Sequence, residues 1–86
     1  MPDETPLFPD QCRAARALIR WSRARLSQRC GVSATTVAEF EAGKREPFTR
    51  TLVDVRRALE EGGVTFIPPD GSGGPGVRLQ PLTAGA

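Results

Sequence analysis

The chain has 86 residues, of which 38% are hydrophobic and 26% are charged, and its formal net charge is +2. This length suits one small domain and leaves little room for a second hydrophobic core. No run of 18 apolar residues occurs, and the first residues lack a secretory signal pattern, so we expect no membrane contact and a cytoplasmic location.

The composition argues against catalysis. The chain has no histidine and no tyrosine, and Cys12 and Cys30 are its only thiols. These residues cannot make up a four-ligand zinc site, and the usual general base is absent. We therefore expect no enzyme activity, no metal and no cofactor, and we interpret both cysteines as small buried hydrophobes.

Positive charge is concentrated in residues 13–57, which hold eleven basic and four acidic side chains, a net charge of +7. Ten of the eleven basic residues are arginines, whose planar guanidinium suits phosphate oxygens and base edges. A solvated helix face or an arginine-rich genome would also explain this composition. The local excess nevertheless favours a polyanionic partner.

The N-terminal part of the chain is predicted to form an arm that is followed by a helix. Residues 1–9 contain three prolines and are predicted to form a flexible arm. Asp10 is a candidate N-cap for a helix over Gln11–Trp21. One face of this helix is apolar and carries Cys12, Ala15, Leu18 and Ile19.

Two short helices with capping signals follow. Ser22 is predicted to cap a helix over Arg23–Cys30, which Gly31 ends. Ser33 is predicted to cap a third helix over Ala34–Ala42. The tight connection between these two helices predicts a helix-turn-helix unit.

The last third of the chain changes its periodicity. A fourth helix is expected from Thr49 or Thr51 to Glu61; Thr51 and Asp54 have the spacing of a capping box. Two β-forming segments follow, Val64–Ile67 and Val77–Gln80, and a Gly- and Pro-rich stretch separates them. They predict a hairpin, which gives a division into residues 1–9, 10–62, 63–80 and a tail over 81–86.

Residues 21–47 follow the pattern WSxxxLSxxCGVSxxxVxxFExGKRxP. This pattern resembles the Cro and Xre-type helix-turn-helix family, which includes the lambdoid phage repressors, and the resemblance extends over Asp10–Glu61. It implies a mainly α fold, a four-to-five-helix lambda-repressor-like domain, here with a C-terminal β-hairpin. It also implies a protein of bacterial or phage origin whose partner is double-stranded DNA.

The resemblance assigns the third helix, residues 34–42, to the major groove. The side chains placed to read base edges are Ala34, Thr35, Thr36 and Glu39. Those placed to contact phosphates are Ser22, Arg23, Ser33, Lys44, Arg45, Thr49 and Arg50. The family commonly has glutamine where this chain has Arg23.

Four further positions have structural interpretations. The resemblance implies an ion pair between Arg16 and Glu41 that orients helices. Arg56 and Arg57 lie off the buried stripe of the fourth helix and are expected to be solvated.

Hairpin residues 64–80 could join two copies of the chain, because one such domain reads only half an operator. The proposed dimer residues are Val64, Phe66, Ile67, Val77 and Leu79. The alternative is that the hairpin only covers its own core.

The sequence thus favours a sequence-specific transcriptional regulator, a repressor or autoregulator that acts as a homodimer on operator half-sites. The alternative is an antitoxin or adaptor that uses the same fold to bind a small protein partner.

Overall fold

Four helices and one hairpin make up the domain. The computed structural model describes residues 5–81. The elements are α1 (Pro9–Ile19), α2 (Arg23–Cys30), α3 (Ala34–Glu41), α4 (Thr49–Glu61), β1 (Val64–Ile67) and β2 (Gly76–Leu79). The expected mainly α fold with a C-terminal hairpin is confirmed.

The caps of the two central helices form as the sequence indicates. The Ser22 hydroxyl accepts a hydrogen bond from the backbone N–H of Arg25, and the Ser33 hydroxyl accepts one from Thr36. Each bond satisfies an N–H group that has no partner within its own helix. Gly31 ends α2 at φ +76°, a left-handed conformation that glycine adopts without strain.

The boundaries of α1 differ from the expected ones, and of the two starts expected for α4 the structure has the earlier. Phe8, not Asp10, is the N-cap of α1, and its backbone N–H donates to the Gln11 side chain. Pro9 takes the first helical position, which suits proline because an N–H group there would have no helical partner. Helix α4 begins at Thr49, so the capping-box spacing of Thr51 and Asp54 does not mark its start.

Part of the predicted N-terminal arm belongs to the core. Leu7 is fully buried, and the Pro6 carbonyl accepts a hydrogen bond from Arg56. The prediction of a flexible arm over residues 1–9 is therefore wrong for residues 6–9, because Leu7 is buried in the core, Arg56 holds Pro6 and α1 begins at Pro9. Residues 1–4 of this arm, and residues 82–86 of the predicted tail, lie outside the described residues.

One hydrophobic cluster joins the helices to the hairpin. Helix α1 packs against α3, α4 and both strands, and α2 packs against α3 and α4. The buried apolar side chains are Leu7, Cys12, Ala15, Leu26, Val37, Phe40, Leu52, Val55, Ala58, Leu59, Val64 and Phe66. Within the described range, no helix is long and apolar enough to cross a membrane.

The hairpin is anchored to α1 rather than standing free. Val64 pairs with Leu79 and Phe66 pairs with Val77 in an antiparallel ladder. The Gln11 amide nitrogen donates to the carbonyl oxygen of Ile67 at 3.3 Å and to that of Gly76 at 3.0 Å. A two-stranded sheet is marginal in water, so these contacts with the helices stabilise it.

Two of the five proposed dimer residues lie on the inner side of the hairpin, so the prediction is wrong for them. Val64 is fully buried and Phe66 is nearly so, and both belong to the domain's own core. Their side chains are therefore unavailable to a partner. Arg56 contributes to the same packing, with its guanidinium 5.1 Å from the centre of the Phe66 ring. The expectation that Arg56 is simply solvated is therefore wrong.

Trp21 anchors the junction between α1 and the end of α4. A Cβ atom at Gly62 would lie 2.8 Å from an atom of the Trp21 ring, so glycine is needed there for close approach. The guanidinium of Arg29 lies 5.2 Å from the centre of the same ring, which is within the range of a cation–π contact.

Candidate nucleic-acid interface

The exposed side of α3 carries the four side chains predicted to read bases. Ala34 and Thr35 are exposed, and Thr36 and Glu39 are half-buried. The opposite side of the helix packs into the core through Val37 and Phe40. Since α3 is held by its apolar side, its outer side is presented on a rigid support.

Arg45 reaches back from the loop after α3 onto this same side. One terminal nitrogen, Nη1, lies 3.4 Å from Thr36 Oγ1 and 3.4 Å from Glu39 Oε1. Thr36 also accepts a hydrogen bond of 2.9 Å from the Ser33 hydroxyl. The structure thus brings Arg45, which was predicted to contact phosphate, together with two of the base-reading candidates.

The seven predicted phosphate contacts all lie at exposed positions. Ser22 and Arg23 stand at the start of α2, where backbone N–H groups and the helix dipole favour an anion. Lys44 and Arg45 follow α3, while Thr49 and Arg50 form the first turn of α4. These positions flank α3 on both sides along the chain.

Several cations of the domain remain available to a polyanion. Within residues 5–81, seven basic side chains form no ion pair with another described residue: Arg20, Arg25, Arg29, Lys44, Arg50, Arg57 and Arg78. Since they are not neutralised locally, they contribute to a positive potential at the surface.

Glu41, at the end of α3, is the centre of a buried polar network. Arg16 donates from Nε to Oε2 and from Nη2 to Oε1, both at 2.7 Å, so the pair is bidentate. Arg23 Nε donates to Oε1 at 3.1 Å, and the Cys12 thiol donates to Oε2 at 3.0 Å. The carboxylate therefore accepts four hydrogen bonds, which uses its full capacity.

This network joins three helices at one point. Cys12 and Arg16 belong to α1, Arg23 to α2 and Glu41 to α3. Arg13 of α1 also donates to the backbone carbonyl of Glu41, which has no helical partner at the end of α3. The orientation of α3 relative to α1 and α2 is therefore held by hydrogen bonds as well as by apolar packing.

The network changes the acidity of its members. Burial alone would raise the pKa of the Glu41 carboxyl, but the hydrogen bonds from Arg16, Cys12 and Arg23 outweigh burial and lower it. Burial, together with the hydrogen bond to Glu41, raises the pKa of the Cys12 thiol. Glu41 is therefore an anion and Cys12 a neutral thiol at neutral pH.

Arg23 serves both the network and the surface. Its Nε is held by Glu41, while half of its side chain is exposed. The two terminal nitrogens make no hydrogen bond within the described part of the chain, so they are free to donate to an anion. Glutamine, which is common at this position in the resembled family, could not form this ion pair with Glu41.

Two further features of this region were not predicted from the sequence. Cys12, expected to be a small buried hydrophobe, also donates a hydrogen bond to Glu41. Phe48 is the N-cap residue of α4, and its side chain is 87% exposed. The signal for Phe48 was its place in a polar loop between the Lys44–Arg45 and Thr49–Arg50 pairs.

Comparison with known proteins matches the chain to a helix-turn-helix family. A family profile described as helix-turn-helix matches residues 13–63. The uncharacterized HTH-type transcriptional regulator y4dL of Sinorhizobium fredii is 39% identical over 57 residues, which are 66% of this chain and 29% of that relative. The chain thus spans less than a third of the length of this curated relative.

Proposed function

This chain belongs to the helix-turn-helix family, of the Cro and Xre type, and on that premise we propose that it is a sequence-specific DNA-binding transcriptional regulator. The observation that carries the proposal is the exposed side of α3, flanked along the chain by exposed cations at the start of α2, after α3 and at the start of α4. Helix α3 enters the major groove, and the flanking cations hold the phosphates on either side.

The regulator acts as a repressor or autoregulator on operators near its own gene. Fluorescence anisotropy with DNA upstream of that gene and with a scrambled duplex, at two salt concentrations, tests this. Tight, salt-sensitive binding that prefers the native duplex supports the proposal. Equal and weak binding to both duplexes by a dimeric protein would instead favour the alternative of an antitoxin or adaptor with a small protein partner.

The phosphate contacts give a separate prediction. Arg23→Ala and Lys44→Ala should each weaken binding to specific and random DNA alike and lower the slope of log K against log salt by about 0.9, because each removes one released counterion. Arg57→Ala is the matched control, since Arg57 lies in the last half of α4 and is exposed. A salt slope that Arg23→Ala leaves unchanged would remove Arg23 from the phosphate contacts.

We further propose that two copies of the chain form a homodimer through the exposed apolar side chains of the hairpin. With Val64 and Phe66 buried, the apolar side chains left for a partner are Ile67, 38% exposed, and Leu79, 52% exposed, beside half-buried Val77. A dimer places two copies of α3 one helical turn apart, which doubles the DNA sequence that is read.

Point substitutions test the dimer better than truncation, because removing the hairpin would also remove two core residues. Ile67→Glu and Leu79→Glu together should convert the dimer to a monomer in sedimentation and weaken operator binding. Val53→Glu, at a comparably exposed apolar position on α4, should leave the dimer intact. If the double variant with Ile67→Glu and Leu79→Glu still sediments as a dimer, the hairpin is excluded as the interface.

A further inference from the structure

Arg45 lies over the base-reading side of α3 and not beside it. Its Nη1 is within 3.4 Å of both Thr36 and Glu39, which are three positions apart and therefore on the same side of the helix. The Arg45 side chain is still 54% exposed, so its remaining nitrogens are accessible to a ligand. These contacts place the Arg45 guanidinium at the side of α3 that carries the base-reading candidates.

The Glu39 carboxylate needs such a partner in a DNA groove. Without one, it would enter the groove between two rows of phosphates and lose its water, both of which are unfavourable. Arg45 supplies the opposite charge at one carboxylate oxygen, Oε1. The other oxygen remains free to accept a hydrogen bond from the N4 amino group of cytosine.

The Arg45 guanidinium has N–H donors left for the other base of the same pair. It carries five N–H donors in a planar fork, and only Nη1 is used in the contacts with Thr36 and Glu39. Nη2 and Nε can donate to the O6 and N7 acceptors of guanine, which lie beside cytosine N4 in the major-groove edge of a G·C pair.

Resting on the proposed DNA-binding function, we propose that Arg45 and Glu39 form one unit that reads a single G·C base pair, Glu39 on the cytosine and Arg45 on the guanine. Arg45 is then a specificity-determining residue and not a phosphate contact. Thr36, which accepts hydrogen bonds from Ser33 and Arg45, keeps its hydroxyl proton to donate to a neighbouring base.

The test uses the half-site that the wild-type chain selects from a random duplex library. Each position of that half-site is then replaced in turn, and binding is measured for the wild type, Glu39→Ala, Arg45→Lys and the double variant. Arg45→Lys retains the charge but lacks the planar fork. Because the charge is retained, the salt slope should not change, and the preference at single base pairs is the quantity that the test compares.

At one G·C position, Arg45→Lys and Glu39→Ala should each lose a preference of roughly 5- to 100-fold, the range expected for one base-edge contact. The double variant should lose little more than the larger single loss, because the two residues act as a unit. Arg50→Ala is the control, and it should weaken all duplexes alike and lower the salt slope.

The outcomes separate this inference from the function on which it rests. If the wild type selects no sequence from the library, both fail. If the wild type selects a half-site and Arg45→Lys keeps its full preference, only the inference fails. The same holds if Arg45→Lys and Glu39→Ala lose preference at different base pairs.

Discussion

Glu41→Ala is expected to destabilise the domain by about 3–5 kcal/mol, the cost of removing one partner of a buried ion pair. The substitution would leave the Arg16 guanidinium, whose side chain is 16% exposed, without its two 2.7 Å hydrogen bonds. It would also leave the buried Cys12 thiol without an acceptor. A domain of this size loses about 4–8 °C of melting temperature per kcal/mol, so the variant should melt well below the wild type.

Trp21 fluorescence during urea and thermal unfolding measures this effect, since Trp21 is the only tryptophan and lies at the junction of α1 and α4. Glu39→Ala is the matched control, because it removes a glutamate from the same helix whose side chain is 43% exposed, and it should change stability by less than about 0.5 kcal/mol. A Glu41→Ala protein that melts within a few degrees of the wild type would show that apolar packing alone orients α3.

The same carboxylate gives the fold a pH dependence. The pKa of Glu41 is lower in the folded chain than its ordinary value of 4.5. Its contribution to stability is therefore complete above pH 4.5 and is lost as the pH falls through the lower folded value. Hydrogen bonds from Ser72 also lower the pKa of exposed Asp70, so the free energy of unfolding should be followed from pH 7 to 3 in wild type and Asp70→Asn. The Asp70→Asn variant should still show most of the decrease in the free energy of unfolding that the wild type shows in acid, because that decrease comes from Glu41.

Leu7→Ala is expected to cost about 2–5 kcal/mol, as for other fully buried leucines. Leu7 precedes the first helix, yet it fills the core together with residues of α1 and α4. Removing most of its side chain creates a cavity, and only a limited collapse is possible because Pro6 is also held by Arg56. The melting temperature should fall by an amount comparable to that for Glu41→Ala.

Leu79→Ala provides the comparison for Leu7→Ala. Leu79 is the same residue type at a position that is 52% exposed, and its truncation should cost less than about 0.5 kcal/mol in the monomer. If both variants melted together, residues 5–8 would not be part of the cooperative unit, and the predicted arm would extend as far as the start of α1.

The helix-turn-helix unit could be read from the sequence because its signals are local. Ser22, Gly31 and Ser33 each act on backbone groups within one turn, so their positions alone indicate where α2 ends and where both helices begin. The apolar spacing of Val37 and Phe40 likewise indicates which side of α3 is buried. The exposed side, with its candidate base-reading residues, follows from the same periodicity.

The N-terminal segment and the hairpin could not be read in this way. Three prolines in residues 1–9 suggested an extended arm, and no local signal marks Leu7 as a core residue. The inward direction of Val64 and Phe66 depends on how the hairpin packs against the helices. Gln11 holds that packing from 56 positions away from Ile67.

Local signals therefore determined the helices, their order and the side of α3 that faces outward. These signals are the helix caps, the glycine turns and the periodic spacing of apolar residues. Only the tertiary structure decided which charges meet. Glu41 lies 29 positions from Cys12 and 25 from Arg16, and Arg45 folds back over Glu39. The physical reason is that hydrogen bonds and ion pairs act over a few ångströms in space, so partners distant in sequence become neighbours only when the helices pack.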